Sequence, residues 1–493
     1  MNKGIFQNTP VPDGVTQVTS ALKEAGFEAF LVGGCVRDII RGKIPKDWDV
    51  TTNATPEQII PLFEDTFYEN SFGTVGVVTQ KGSAEEQIIE VTPYRLEGAY
   101  SDGRHPDHVT FSTKIDDDLK RRDFTMNAIA YDPSNGQIVD LYKGQEDIQG
   151  AIVRAVGEAG ERFQEDGLRI MRAVRLAAEL GFIINTETEK AILSHKEMLS
   201  KVAKERIRDE FNKLIMSETP MVGIIMAQRM GILPYIIPEL EQGLHMKQNQ
   251  AHAYDVFEHL VRSLQHAADK GWTLEIRLAA LLHDIGKPAT CRFSPEKGDV
   301  TFYGHEVVGA RMAKKILETL KYPKKTIDFV VKLVRWHMFF SDTEQISLSA
   351  VRRMIVNVGK ENIWDLMNLR ICDRVGTGRP KENPYRFRKY KAMIEEAMRD
   401  PISVGMLKLD GKQLMETLHM EPGPRLGHML HALLEEVLEN PSLNTEEELV
   451  KLAKKLNKLG DKELKDKADS GKQAKEEAEE QEIESIKQKH HIK

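Results

Sequence analysis

From residue 28 to residue 140 the chain alternates short apolar runs, such as Ile88-Ile-Glu-Val91 and Val109-Thr-Phe111, with two stretches of helical spacing. That pattern predicts a small sheet backed by helices. From about residue 145 the strand signals largely vanish and an apolar repeat of three to four residues takes over, which predicts an all-α remainder. Between 166 and 180 nearly every position outside the charges is apolar or a helix former, including Leu168, Ile170, Met171, Val174, Leu176 and Leu180. This helix is therefore expected to be buried on most sides. Leu281 and Leu282 close a second strongly apolar helix, and Pro422-Gly-Pro424 and Asn440-Pro441 punctuate the later ones. Beyond Gly460 the chain is Lys, Glu, Asp, Gln and Ala with almost no large apolar residue, so it cannot bury a core and reads as a disordered or fraying single-helix tail.

Composition changes this picture little. A chain of 493 residues, 41% of them hydrophobic, can build ordinary cores in roughly two to four domains. No apolar run of about 18 residues and no basic-then-apolar leader is seen, and Cys35, Cys291 and Cys372 show neither pairing nor zinc spacing. A soluble cytoplasmic protein without a membrane partner is expected.

The net charge of −7 is awkward for binding nucleic acid, because phosphate contacts need Lys and Arg. The charge is unevenly placed, however. Arg352, Arg353, Arg370, Arg374, Arg379, Lys381, Arg386, Arg388, Lys389 and Lys391 crowd one stretch, with Tyr385, Phe387 and Tyr390 interleaved. Either a basic RNA-facing surface or an ordinary solvated helical face fits that stretch.

Candidate chemistry begins at Leu31-Val-Gly-Gly-Cys-Val-Arg-Asp38 and Lys46-Asp-Trp-Asp-Val50. Gly33 and Gly34 let backbone N–H groups approach a triphosphate, and Arg37 falls on the first turn of the helix that follows. On a strand, Asp47 and Asp49 would point to one face and together offer hard oxygen ligands to Mg²⁺. Each piece has a plainer reading, a turn and a solvated strand end. Farther on, Asp166, Arg169, Arg172 and Arg175 step by three along the predicted buried helix, so these charges must face one another, other carboxylates or a ligand.

A second cluster lies between 250 and 375. His283 and Asp284 sit in Leu281-Leu-His-Asp-Ile-Gly-Lys287, preceded by His259 and followed by His305, His337 and Asp373. Imidazole and carboxylate from several helices suit Ni²⁺, Mn²⁺, Fe²⁺ or Zn²⁺. His245 and His252 are taken as bystanders.

In order and spacing these motifs resemble the class II branch of the DNA polymerase β-like nucleotidyltransferases, which holds bacterial CCA-adding enzymes and poly(A) polymerases. Arg121-Arg-Asp-Phe-Thr-Met-Asn-Ala128 matches that family's RRDFTxNA motif, and Glu165-Asp-Gly-Leu-Arg169 matches its EDxxR motif. Arg95 to Pro106 looks like its flexible loop, Asp140 to Gly144 with Asp147 like its head-to-neck link, and Glu205, Arg206 and Glu210 like its neck motif. The resemblance implies Asp47 and Asp49 as catalytic Mg²⁺ ligands; Glu90, expected on a neighbouring strand, offers a third carboxylate, although the family usually shows only the aspartate pair.

It further implies that Gly34, Arg37, Arg122, Asp166, Arg169, Arg172 and Arg175 bind the nucleotide. Asp166 and Arg169 would meet the Watson–Crick edge of the base, and Arg172 and Arg175 would support them. The second cluster resembles the HD phosphohydrolase signature, with His305 and His337 as the extra ligands of two-metal variants. The implied fold is an α/β polymerase β-like head over 1–150, an all-α neck over 151–245, an HD domain over 246–380, a helical tRNA-binding body over 381–459 and a charged tail over 460–493.

The implied function is template-independent addition of CCA to the tRNA 3′ end from CTP and ATP. Phosphohydrolysis at the HD cluster would be a second activity. A-adding or poly(A)-adding activity, or an HD phosphohydrolase with a tRNA-recognising head, are the alternatives. Gly423 and Gly427, expected just before a helix, offer N–H groups to a tRNA phosphate or simply start that helix.

Overall fold

The alternation in the first third of the chain becomes a seven-stranded sheet in the order β3-β4-β5-β2-β1-β8-β9. The computed structural model describes residues 10–68, 73–80, 82, 86–97, 109–248, 253–296, 298–338, 346–379 and 381–468. The expected flexible loop and His252 lie largely or wholly outside them.

Strands β1 (Ala29–Val32), β2 (Asp49–Thr52), β3 (Thr66–Tyr68), β4 (Val75–Thr79), β5 (Gln87–Pro93), β8 (Ala130–Tyr131) and β9 (Ile138–Val139) form the sheet. β2 and β5 pair in parallel and the other neighbours antiparallel. β6 (Arg95–Glu97) and β7 (Val109–Phe111) form a separate antiparallel ribbon. β1 is buried at every position, which is why it reads as a continuous apolar run rather than an alternation. Helix α1 (Asp13–Glu24) buries Val15, Val18 and Leu22, spaced by three and four. Phe30, Val32, Tyr94, Leu119 and Ala130 form one core cluster of this region.

The chain divides into two compact units, Met1–Pro238 and Glu239–Lys493. The expected boundary at 150 does not separate compact units. An antiparallel bridge from Phe124 to Ala155, a hydrogen bond from Arg169 to the Arg121 carbonyl and an ion pair of Arg172 with Asp123 tie head to neck. The neck carries α4 (Ala159–Glu165), α5 (Leu168–Leu180) and α6 (Lys204–Met216).

In the second unit the main helices are α7 (Val256–Asp269), α8 (Leu274–Leu282), α9 (His305–Thr319), α10 (Lys324–Trp336), α11 (Leu348–Val358) and α12 (Ile363–Gly376). After them come α13 (Tyr385–Ala397), α14 (Pro424–Glu439), α15 (Glu446–Leu456) and α16 (Asp461–Ala468). Among the described residues no helix is long and apolar enough to cross a membrane.

Several expectations are corrected. Two short strand pairs, Ile152–Val153 with Ile183–Ile184 and Arg292–Ser294 with Asp299–Thr301, interrupt the helical remainder. Strands of two or three residues leave no period-two signal to read. The segment after Gly460 is not shed at once, since α16 forms and buries Leu464, the one large apolar residue that it carries. Gly427 lies inside α14 rather than before it.

The basic stretch is also only partly a face. Arg352 pairs with Asp400 and Arg353 with Glu435 and Glu439, while Phe387 and Tyr390 are core and Tyr385 stays exposed. Side chains three or four apart share one face of a helix, so Phe387 and Tyr390 turn into the core together while Tyr385, two positions before Phe387, is left outside.

Candidate functional site

β1 runs directly into helix α2 (Gly34–Ile40) through Gly33, whose φ of 81° is the left-handed region open to glycine. A Cβ at Gly33 would lie 3.2 Å from Arg122 Nη1 and 3.5 Å from Asp49 Oδ2, so this turn is where the arginine and the carboxylate converge. Asp49 opens β2, whereas Asp47 sits in the bend before it, which corrects the expectation of both on the strand. Backbone alternation still holds across the bend: Trp48 and Val50 are buried, while Asp47 is exposed and Asp49 half-buried.

Burial raises the Asp49 carboxyl, Arg122 opposes that shift and Asp47 adds to it. A half-buried carboxylate with a second one beside it forms a site that a divalent cation would relieve, which is the test that the pair must pass as metal ligands. Glu90 is the register partner of Asp49 across the parallel β2–β5 pairing, and Cβ atoms of register partners share a face.

Arg122 is held by Asp118, whose second oxygen takes Arg121. Burial would raise Asp118, but these two arginines hold its carboxyl below the usual range. Arg37, at the end of the first turn of α2, donates to Asp38 Oδ1 and, at 3.0 Å, to Asn127 Oδ1.

The charged steps of the neck divide into three kinds. Asp166 is not on the helix. It precedes α5 in extended backbone, and both of its oxygens accept from the Arg206 guanidinium at 3.1 and 2.7 Å. Arg169 is buried and donates to Glu165 at 2.6 Å and to the Arg121 carbonyl at 2.9 Å. Arg172 reaches Asp123 through Nε at 2.8 Å and Nη2 at 2.6 Å. Burial opposes the Asp123 charge, yet Arg172 and its hydrogen bonds bring the carboxyl down to about 2.

Arg175 turns inward to Glu210 and Glu179, so the structure gives it a supporting place rather than one open to a ligand. Breaking the Arg175–Glu210 pair leaves the buried cation with only the half-exposed Glu179 for a partner, and Glu210→Ala should cost about 3 kcal/mol. Glu179 is half-exposed, and removing it should cost under about 1 kcal/mol. Urea denaturation of the two variants reads that difference.

Reading the sequence missed the roles of Asp118, Asp123 and Asn127. The available signal was Asp123 and Asn127 set against the largely apolar run Phe124 to Tyr131, and Asp118 just before Leu119, because buried polar groups must find partners.

In the second unit, Asp255 caps α7 by accepting from Glu258 N–H at 2.7 Å, and the buried face of that helix presents His259. α8 is buried from Ile276 to Leu282 and ends at His283 and Asp284. At Gly286 a Cβ would meet the His305 carbonyl at 2.4 Å, so this glycine lets the end of α8 press onto the start of α9. The result is one buried cluster.

Its centre is Asp284. Oδ2 lies 3.0 Å from His259 Nε2, 3.4 Å from His283 Nε2 and 2.5 Å from Lys287 Nζ, while Oδ1 lies 3.1 Å from His305 Nε2 and 3.4 Å from His337 Nε2. Asp373 Oδ1 joins the first side at 3.6 Å from His259 and 3.8 Å from His283, with Arg370 on its other oxygen. Two groups able to hold a metal therefore share one aspartate: His259, His283, Asp284 and Asp373, and Asp284, His305 and His337.

The hydrogen bonds test the fit. His283, His305 and His337 each turn Nδ1 to a backbone carbonyl, of Ala280, Phe302 and Val334, at 2.6–2.9 Å. A neutral imidazole that donates from Nδ1 carries its lone pair on Nε2. These Nε2 atoms nevertheless face other Nε2 atoms at 2.9 and 3.3 Å and carboxylate oxygens. Acceptors converging on acceptors call for a cation.

Burial opposes the charge of His283, yet Asp284 and Asp373 push it up to about 9, so that a proton on its Nε2 answers the same converging acceptors that a metal cation would, whereas burial holds His259 and His337 down. Lys287 also donates to Gln248 Oε1 at 2.6 Å. His245 contributes only its backbone N–H, to Asp255.

Comparison with known proteins follows this division. The family model of the poly A polymerase head domain matches residues 29–154, that of the probable RNA and SrmB-binding site of polymerase A matches 181–244, and that of the HD domain matches 256–372. The chain is 33% identical over 417 residues to an A-adding tRNA nucleotidyltransferase of Deinococcus radiodurans, covering 83% of this chain and 91% of that protein.

It is 46% identical over 210 residues to a CCA-adding enzyme of Lactiplantibacillus plantarum, covering 42% of this chain and 50% of that protein. The chain thus spans about half the length of such curated relatives. The structure of a Bacillus stearothermophilus CCA-adding enzyme in complex with CTP is similar, with a TM-score of 0.69 and 27% identity over 92% of this chain and 98% of that one.

Proposed function

Because the chain belongs to the class II tRNA nucleotidyltransferase family, we propose that it completes or repairs the 3′-terminal CCA of tRNA from CTP and ATP without a nucleic-acid template. The observation that carries this reading is the convergence of Asp49, Arg122 and the Gly33 turn, tied through Asp123 and the Arg121 carbonyl to the charged helix of the neck.

In this reading Asp47 and Asp49 hold Mg²⁺, with Glu90 beside them on the neighbouring strand. The ion supplies charge compensation for the attacking tRNA hydroxyl and the departing pyrophosphate. Arg37 and Arg122 bind the triphosphate, and the Gly33-Gly34 turn leaves room for it. Arg206 fixes the Asp166 carboxylate with a two-pronged grip, so that Asp166 and Arg169 present donors and acceptors to the base edge. Arg172 and Arg175 keep the reading groups in place.

The HD cluster carries a second, metal-dependent phosphohydrolase activity in this reading. His259, His283, Asp284 and Asp373 would hold one ion and Asp284, His305 and His337 another. A transition metal such as Ni²⁺, Mn²⁺ or Fe²⁺ supplies Lewis-acid activation of a phosphoester there.

The deciding experiment uses tRNA transcripts ending before CCA, at C, at CC and at CCA, each incubated with CTP or ATP singly and together. Stepwise completion that stops at CCA is expected. Action on the CC end alone would make it an A-adding enzyme, and extension past CCA a poly(A) polymerase. No addition to any end would leave the HD cluster as the active centre.

A further inference from the structure

Asn127 closes the short helical turn Thr125–Asn127 and is buried. Its carboxamide is bound at both ends. Oδ1 accepts from Arg37 Nη1 at 3.0 Å, and Nδ2 donates to Asp123 Oδ1 at 3.1 Å. The two partners dictate which way the amide lies, because a guanidinium can only donate and a carboxylate can only accept. Asp123 passes the connection on: its Oδ1 also accepts from Phe124 N–H at 2.8 Å, and its Oδ2 takes both prongs of Arg172.

An unbroken series of hydrogen bonds therefore runs from Arg37, on the helix that follows the glycine turn, through Asn127 and Asp123 to Arg172 on α5. That helix also carries Arg169, one turn earlier on an adjoining face.

We propose that Asn127 is a positioning residue that couples triphosphate capture by Arg37 to the base-reading groups of the neck. It rests on the nucleotidyltransferase reading above. When Arg37 takes up a phosphate, the amide holds its guanidinium in the plane that also fixes Asp123, and Asp123 fixes Arg172 and the α5 face beside it. The base-reading side chains thus have one arrangement while the triphosphate is seated. Without the amide, Arg37 still has Asp38 and Arg172 still has Asp123, but nothing sets one against the other. The base is then read by a helix whose position no longer depends on the phosphates.

The experiment is single-turnover addition to a tRNA transcript ending before CCA, with CTP and UTP measured separately for wild type and Asn127→Ala. The expected result is a fall of about tenfold in the ratio of kcat/KM for CTP to that for UTP, together with a raised KM for CTP, as befits the loss of a charge-assisted hydrogen bond. A purely structural role lowers the active fraction for both nucleotides alike and leaves the ratio unchanged, which would overturn the coupling.

Should the alanine variant fail to fold, Asn127→Asp decides. It keeps the size and the acceptor for Arg37 while setting a carboxylate against Asp123, and it should lower the ratio in the same way. Wild-type protein that adds no nucleotide to any tRNA end overturns the underlying reading as well. Wild-type addition with an unchanged ratio in the variant overturns the coupling alone.

Discussion

Asp47→Ala or Asp49→Ala should lower CMP addition and AMP addition together, by a factor of about a thousand or more, while tRNA affinity stays within a few-fold of wild type. The reason is the place of the pair. Asp49 stands at the mouth of β2 beside the Gly33 turn with Asp47 one bend before it, and in the proposed function both serve the phosphate end of the site, which every nucleotide shares. Base choice is assigned to different residues, Asp166 and Arg169, so losing a carboxylate at β2 should not first alter selectivity. tRNA should still bind, since neither side chain is needed to hold the RNA backbone. The measurement is single-turnover incorporation of each labelled nucleotide beside a filter-binding titration of tRNA. Near-normal incorporation by either variant would exclude this site.

A comparable loss is expected at the other cluster. Asp284 is the carboxylate common to both groups of possible ligands, so removing it together with His283 takes ligands from each group at once. Protein purified without chelator should carry about two transition-metal ions per chain, and the His283→Ala, Asp284→Ala variant close to none. Hydrolysis of a 2′,3′-cyclic nucleotide, dependent on Ni²⁺, Mn²⁺ or Fe²⁺, should fall at least about a hundredfold. Addition to tRNA should survive in the same variant, because these ligands all belong to the unit Glu239–Lys493 and the aspartates of β2 to the unit Met1–Pro238. A wild-type protein that holds no transition metal and gains none on titration would leave these histidines as core residues and remove the second activity.

The sequence by itself determined the elements and the candidate chemistry. Period-two and helical spacing separated sheet from helix, the apolar end of α8 placed His283 and Asp284, and the Gly33-Gly34 turn beside the Asp47 and Asp49 pair marked the phosphate end. These are local signals, carried by residues a few positions apart, and local backbone geometry translates them directly into orientation.

The partners had to wait for the tertiary structure. That Arg206 grips Asp166, that Asp123 takes Arg172 and that Asn127 stands between Arg37 and Asp123 are contacts over 40, 49 and 90 positions of chain. Side chains so far apart leave no spacing to read, and a charge in an apolar helix says only that it needs a partner, not which one.

The same holds for Arg175, whose step along the helix matched that of its neighbours but which packing turned to Glu210. Asp284 became the carboxylate common to both side-chain groups only because Gly286 admits the close crossing that brings His305 to its second oxygen. Leu464 in the charged tail was legible as a residue, but its burial depended on α16 packing against α14. Burial, and with it the charge state and the partner of every polar group, is a property of the packed chain, because desolvation is decided by what surrounds an atom rather than by what precedes it.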